Sequence, residues 1–325
     1  MSRRPPRRLA LAAGALGAYV VLPLVVDDYW LAVLNLGGIA AVGALGLDVL
    51  TNRTGLLSLG HAAFLGAGAY TAAAVGGPLS VWLAAAGLVG AGLGLAVAPF
   101  AVRLRGHTLA IVTLALVFVA QHVFREWTSV TGGNAGRSDL PVVPLPGTHD
   151  QGWFWLVWAL VGLTVLVVRN VARGRAGRAM AAVRDDEAAA AVMGVDVART
   201  KAAAFVASGV LAAMAGGLYG AYRQYVGPED WGLLVSVQYL AMVLIGGAAT
   251  LAGPVLGALF VTALPHLVDV VVETGPASEV TAAQVTQLVF GLVIVIVVVA
   301  EPRGLAALAR RCNRRGSPRV DQGCT

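Results

Sequence analysis

Charge is what this 325-residue sequence has least of: only 12% of its residues are Asp, Glu, Lys or Arg. Soluble domains carry about 25%, so an ordinary soluble fold is excluded. Cysteine is nearly missing too. The two residues, Cys312 and Cys324, sit close together near the C-terminus and exclude a disulfide framework. No G-x-x-x-x-G-K-[ST] phosphate loop occurs, so the chain brings no nucleotide site of that kind. H-E-x-x-H and G-x-S-x-G are also missing. The five histidines, at 61, 107, 122, 149 and 266, do not cluster at metal-ligand spacing. These absences argue against a membrane-embedded enzyme. No alternating apolar and polar strands of the outer-membrane-barrel kind appear.

What is present is apolar: 58% of residues are hydrophobic and the mean hydropathy is +0.78. Ten apolar runs stand out: Leu9–Val26, Tyr29–Leu50, Leu56–Gly76, Leu79–Val102, Thr108–Phe124, Trp153–Val171, Ala202–Tyr222, Leu233–Ala248, Leu251–Val272 and Ala283–Ala300. Several reach the roughly 20 residues that cross a bilayer as a helix. In lipid every backbone polar group must be paired internally. The fold class is therefore all-α, a polytopic transmembrane helical bundle of about ten spans. Small or polar residues interrupt the runs at Leu56 and Thr108, which are expected to be broken or re-entrant. The first run follows Arg3, Arg4, Arg7 and Arg8 and has the shape of a signal peptide. No clear A-x-A site precedes Asp27, so an uncleaved span is expected.

Charge asymmetry supports this count. With both termini in the cytoplasm and spans alternating, 20 of the 23 Lys and Arg residues fall inside. They lie at residues 1–8, at Arg53, at Arg103 and Arg105, in the island 169–201, and in the basic tail 303–325. Only Arg125, Arg137 and Arg223 fall outside, as the positive-inside rule requires. The net charge of +6 is thus mainly a topology signal. Without interleaved aromatics or a known module, the basic tail does not read as a nucleic-acid site. Residues 9–302 form the membrane domain, and 125–152 is the longest outer loop. Its glycines and Pro141, Pro144 and Pro146 predict turns. Trp127, Trp153, Trp155 and Trp158 at that face read as an interfacial aromatic belt, or as part of a surface that receives an external partner.

Small residues recur every four positions: Ser58/Ala62/Gly66, Ala86/Gly90/Gly94, Gly209/Ala213/Gly217 and Gly253/Gly257. This spacing lets helix backbones approach closely. Gly-rich segments at Gly55–Gly68 and Gly246–Gly257 occupy comparable places in the two halves, a faint sign of two-halved construction.

The island 169–201 carries the most information. Arg178–Arg184 predicts a short helix. Asp185 is placed to cap a second one, with Asp186 and Glu187 in its first turn, where negative charge suits the dipole. Gly194 suits a left-handed stop. A helix of about eight residues, roughly 12 Å long, is not stable alone. It needs a surface to lie on. A solvated positive-inside loop is the bland alternative, and a docking helix is the preferred one.

Here a resemblance becomes specific. GRAMAAVRDDEAAAAVMGVDVARTKAAAF resembles the cytoplasmic loop of ABC-importer permeases for branched-chain amino acids, with an EAA element at Glu187, Ala188 and Ala189. Gly194 follows seven residues after Glu187 rather than six, and no I-x-L-P comes downstream, a departure similar to that of the branched-chain family. TNRTGLLSLGHAAFLGAGAYTAA (51–73) is similar to that family's N-terminal signature. RLRGHTLAIVTLALVFVAQHVFREWTSVTGGNAG (103–136) and LIGGAATLAGPVLGALFVTALP resemble its M-type subunit. The likeness covers about residues 30–302.

The resemblance implies a bacterial cell-membrane protein that works with a paralogous permease, two cytoplasmic ATPases and an extracytoplasmic binding protein. ATP and Mg would be used by the ATPases, with no cofactor in this chain. Gly177, Arg178, Arg184, Asp185, Asp186, Glu187, Ala188, Ala189 and Gly194 are the expected ATPase-docking residues, with Glu187 and its neighbours meeting a groove on the ATPase. Membrane lipid is the remaining partner.

Polar groups within spans tend to face the bundle interior or a pathway. Asn52, Ser58, His61, Thr113 and Gln121 are accordingly the expected pathway or subunit-interface residues. For His61 a hydrogen-bonded structural role is equally open. Asp48 is expected at a membrane boundary and His122 in solvent. Two other readings stay in view. One is a related ABC permease for urea, short amides or other amino acids. The other is a stand-alone secondary transporter, which would show ionisable residues deep in several spans; the spans over 202–300 have almost none.

Overall fold

A computed structural model describes residues 19–104, 106–247, 250–273 and 291–292. The N-terminal arginines, most of the first and tenth apolar runs, the basic tail and both cysteines lie outside the described residues.

The described chain is helical, and its one β-contact is an isolated antiparallel bridge between Arg137 and Val226. The helices are α1 (Asp28–Asp48), α2 (His61–Val75), α3 (Leu79–Arg103), α4 (His107–Glu126), α5 (His149–Arg173), α6 (Arg175–Asp185), α7 (Glu187–Val192), α8 (Val197–Arg223), α9 (Leu233–Gly246) and α10 (Ala252–Glu273). Among the described residues, five helices are long and apolar enough to cross a membrane: α1 with its π-helical extension to Arg53, α3, α4, α5 and α8. Leu233–Gly246 and Ala252–Leu267 are shorter apolar helices.

Burial separates centre from rim. In the most apolar window of α1, 78% of residues are buried, against 22% in α4 and 28% in α5. A helix buried on all sides must be apolar all round, whereas a rim helix turns Leu, Ile and Phe outward to lipid. Ile111 and Phe118 of α4 and Leu163 and Leu166 of α5 do so.

The glycine stripes explain how α8 joins the centre. A Cβ on Gly209 would lie 2.5 Å from the Gly90 carbonyl oxygen of α3, and one on Gly94 would lie 2.8 Å from the Phe205 carbonyl oxygen. Cβ atoms on Gly68 and Gly216 would overlap the carbonyls of Ala213 and Leu65, so α8 lies equally close to α2. Backbone contact of this kind replaces the hydrophobic drive that lipid removes. Gly253 and Gly257 do the same between α9 and α10, against Gly246 and Met242.

The charged residues sort to the two ends of the bundle. At one end lie Arg53, Arg103 and the island from Arg169 to Lys201. At the other, Arg125 pairs with Glu229 at 3.0 Å, and Tyr222 donates to the Asp150 carboxylate. Thr148 and Gln151 form a capping box at the start of α5. In the loop 127–148, where turns were expected, Thr128–Thr131 makes one helical turn and Gly133–Ala135 a 3₁₀ turn, with Gly132, Gly133 and Gly136 at positive φ, while 138–145 has no regular structure. Trp153 departs from the aromatic-belt reading. It is 2% exposed and packs edge-on against Tyr222, with ring centroids 5.5 Å apart, because α5 turns it into the core. Trp127 stays exposed.

Candidate functional site

The island 169–201 forms a capped two-helix projection. Helix α5 ends at Gly174, and α6 starts at once, because Gly177 packs where a Cβ would overlap the Ala172 carbonyl. Met180 and Val183 are buried while Arg178 and Arg184 are exposed, so α6 lies on the bundle by its apolar stripe.

Asp186, not Asp185, caps the next helix. Asp185 is still the last helical residue of α6. Asp186 is extended (φ −160°, ψ 116°), and its carboxylate accepts from the amides of Ala188 at 2.7 Å and Ala189 at 3.0 Å. The extended geometry is what brings an N-cap oxygen to those amides. Helix α7 then closes in a Schellman motif. Gly194, at φ 83°, donates to Ala191 and Val195 donates to Ala190, each at 3.0 Å. The outward face of α7 and its stop is Ala188, Ala189, Ala191, Val192, Met193 and Gly194. Val192 is 87% exposed and Met193 84%.

Glu187 faces the other way. Its carboxylate pairs with Lys201 Nζ at 2.6 Å, and Lys201 is the only lysine in the sequence. Lys201 is fully buried in the first turns of α8 and also donates to the Ala101 carbonyl at 3.4 Å.

A polar cluster lies under α6. Asp48 is buried, and Asn52 donates to it at 2.8 Å and Arg53 at 3.1 Å. Arg184 donates to the Asn52 carbonyl. Asn52, Gly177, Arg184 and Asp185 thus border one cavity of about 250 Å³.

Ser58, His61 and Thr113 meet at the break before α2. Residues 55–60 are not helical, so the run at Leu56 is broken as expected. The amides freed by the break need partners. Leu59 donates to Thr113 Oγ1 at 3.0 Å, Gly60 to Ser58 Oγ at 3.3 Å, and Ala62 to Ser236 Oγ of α9 at 2.9 Å. His61 Nε2 donates to the Gly43 carbonyl of α1 at 3.1 Å, and its ring lies 5.0 Å from that of Tyr239. Ser236 and Tyr239 escaped sequence reasoning, since nothing in their local pattern reports a partner 174 or more residues away. The run at Thr108 is a continuous helix, α4. Gln121 on α4 is distant from this break and faces Gly232.

Beside Tyr239 lies a cavity of about 180 Å³ among α1, α8, α9, α10 and the 3₁₀ turn Pro228–Trp231. Its lining includes apolar Leu36, Ile39, Val235 and Met242 and polar Asp230, Gln238 and Thr262.

Comparison with known proteins adds to this geometry. The family described as "Branched-chain amino acid transport system / permease component" matches residues 29–298. The high-affinity branched-chain amino acid transport system permease protein LivM of Salmonella typhimurium is 30% identical over 296 residues, covering 82% of this chain and 67% of LivM. A probable ABC transporter permease protein, y4mJ of Sinorhizobium fredii, is 30% identical over 78% of this chain and 80% of its own length. The autoinducer 2 import system permease protein LsrC of Klebsiella pneumoniae is 32% identical over 47% of this chain and 45% of its own. No solved structure matches.

Proposed function

This chain belongs to the family of branched-chain amino acid transport system permease components, and from that premise we propose that it is the membrane-spanning permease subunit of an ABC importer. It carries leucine, isoleucine and valine, or closely similar small amino acids, into a bacterial cell across the cell membrane. Its partners are a paralogous permease, two cytoplasmic ATPases that use ATP and Mg, and an extracytoplasmic binding protein. The arginine-rich end is cytoplasmic, and residues 125–152 face the binding protein.

The observation that carries this reading is the capped helix α7 with Val192 and Met193 bare at its tip. A six-residue helix stopped at both ends is rigid, short and apolar outward. It is suited to a groove on a soluble subunit. Ala188, Ala189, Val192 and Met193 make that contact; Asp186 and Gly194 shape the helix, and Gly177, Arg178, Arg184 and Asp185 hold the projection on the bundle. Closure of the ATPases on ATP pulls α7 and turns the pathway from outward to inward, a two-state element biased by nucleotide.

The pathway passes the broken start of α2. There Ser58, His61 and Thr113 hold non-helical backbone inside the bundle, as is tolerated only in protein or beside a water-filled route. Asn52 lies at its cytoplasmic mouth and Gln121 toward its outer side. The 180 Å³ cavity, lined by both aliphatic and polar side chains, supports a small, mainly apolar solute. Drug-sized ligand pockets begin at about 300 Å³.

The test is co-purification of the tagged chain in mild detergent, with mass spectrometry of its companions, followed by uptake in vesicles. A second permease and ATP-binding subunits, with leucine uptake that requires ATP, are expected. A single species that moves leucine without ATP overturns the reading. Titration of the cognate binding protein separates substrates: binding of urea or a short amide with no response to leucine, isoleucine or valine makes this a related permease instead.

A further inference from the structure

We infer that Lys201 is a positioning residue: its ion pair with Glu187 is the link through which movement of the docking helix α7 reaches the membrane bundle. The inference rests on the ABC-permease reading and adds a residue and a route to it.

The first observation is compositional. The chain has 23 basic residues and uses lysine once, at Lys201. A lysine brings a compact point charge on a flexible stem, where an arginine would bring a planar fork.

The second is geometric. Lys201 is fully buried, a costly state for an ammonium unless it is paired and hydrogen-bonded. Its Nζ lies 2.6 Å from Glu187 Oε1 and 3.4 Å from the Ala101 carbonyl oxygen. Ala101 is in the last turn of α3, where carbonyls lack helical partners and the dipole favours a cation. One ammonium therefore ties the first turn of α7, the start of α8 and the end of α3.

The third is what lies beyond the tie. Helices α3 and α8 touch backbone to backbone at Gly90 and Gly209, with only the short Ala213 methyl beside the contact and no long side chain of either helix to absorb displacement. A pull on α7 is passed through Glu187 and Lys201 to two helices that move as a pair. The outward face of α7, by contrast, has no share in the tie, so docking and transmission use different residues.

A purely structural role would weaken folding and assembly without changing the substrate moved per ATP. That ratio is the readout, measured on the complete reconstituted complex with its ATPases and binding protein. Two single variants, Lys201→Met and Glu187→Lys, are compared with the parent complex, and Lys201→Met is expected to retain the ATPases on co-purification and to keep basal ATP hydrolysis. Leucine moved per ATP should fall about tenfold, within the range of ordinary coupling between sites. The charge-swapped double variant, Glu187→Lys with Lys201→Glu, should recover most of that loss.

A Lys201→Met complex that assembles and moves as much leucine per ATP as the parent overturns the inference. So does a swap no better than either single variant when all three assemble. Should the single variants fail to reach the membrane, Glu187→Gln decides, because it keeps shape and an acceptor for Lys201. It is expected to lower the ratio, and an unchanged ratio overturns the link. Failure of the broader reading looks different: the unmodified complex would then move leucine without ATP.

Discussion

Two alanine substitutions two positions apart in the contact pattern of the bundle should have opposite signs. Gly209 of α8 faces Gly90 of α3, and a Cβ there would stand 2.5 Å from the Gly90 carbonyl oxygen. Real Cβ atoms essentially never come within 3.0 Å, so the helices must part by at least half an ångström. Overpacking of this kind costs about 1–3 kcal/mol, while alanine returns about 1 kcal/mol of helix propensity. The gap also spreads along the seam, where a 0.5–1 Å separation forfeits about a quarter to a half of each dispersion contact. Gly209→Ala should therefore destabilise the chain by about 1–2 kcal/mol. Gly92, on the same helix as Gly90, has nothing within 4 Å of its Cβ position. There propensity acts alone, and Gly92→Ala should gain up to about 1 kcal/mol. The assay is unfolding of the purified chain from mild detergent by added SDS, followed by tryptophan fluorescence. Trp82 of α3 reports on the seam, since it is fully buried and packs beside Gly217. A Gly209→Ala chain as stable as the parent would refute the claim that backbone contact holds α3 to α8.

Other expectations follow from single contacts. Asp186→Ala removes the acceptor for the Ala188 and Ala189 amides and should cost α7 about 0.5–2 kcal/mol; faster proteolysis of the island at unchanged membrane insertion is the sign to look for. Met193→Asp places a charge on the exposed tip of α7, and should reduce co-purification of the ATPases while leaving the melting temperature of the chain unchanged. In the outer loop, the hydrogen bond from Arg137 holds the Asp139 carboxyl below its ordinary value of 3.8. Because the folded value is the lower one, the contribution is present above the ordinary value and lost as pH falls through the lowered one. Protection of the Arg137 and Val226 bridge amides, corrected for intrinsic exchange at each pH, should thus fall only below about pH 4. Equal protection at pH 5 and pH 2 would rule this out.

The helical class could be read in the sequence because lipid leaves the backbone few choices. The small-residue stripes were readable as a spacing, yet the partner of each stripe was not. Ala86/Gly90/Gly94 meets Gly209/Ala213 rather than a neighbouring helix in the chain, and spacing along one helix says nothing of which helix lies opposite. In the island, Gly194 was legible as a stop, since a left-handed residue after a short alanine run favours glycine. The choice between Asp185 and Asp186 as cap was not, because it depends on which of two adjacent residues leaves the helix.

Composition and period alone determined that this is a multi-span helical protein with one charged projection, since both follow from the solvent each residue must meet. Tertiary structure decided what its few polar side chains do. Glu187 turns inward to Lys201, and Asp48 is buried beneath Arg53 and Asn52. Thr113 and Ser236 complete the break before His61 from 54 and 174 residues away. A buried polar group must find its partner in space, and the distance along the chain to that partner is set by the packing of helices.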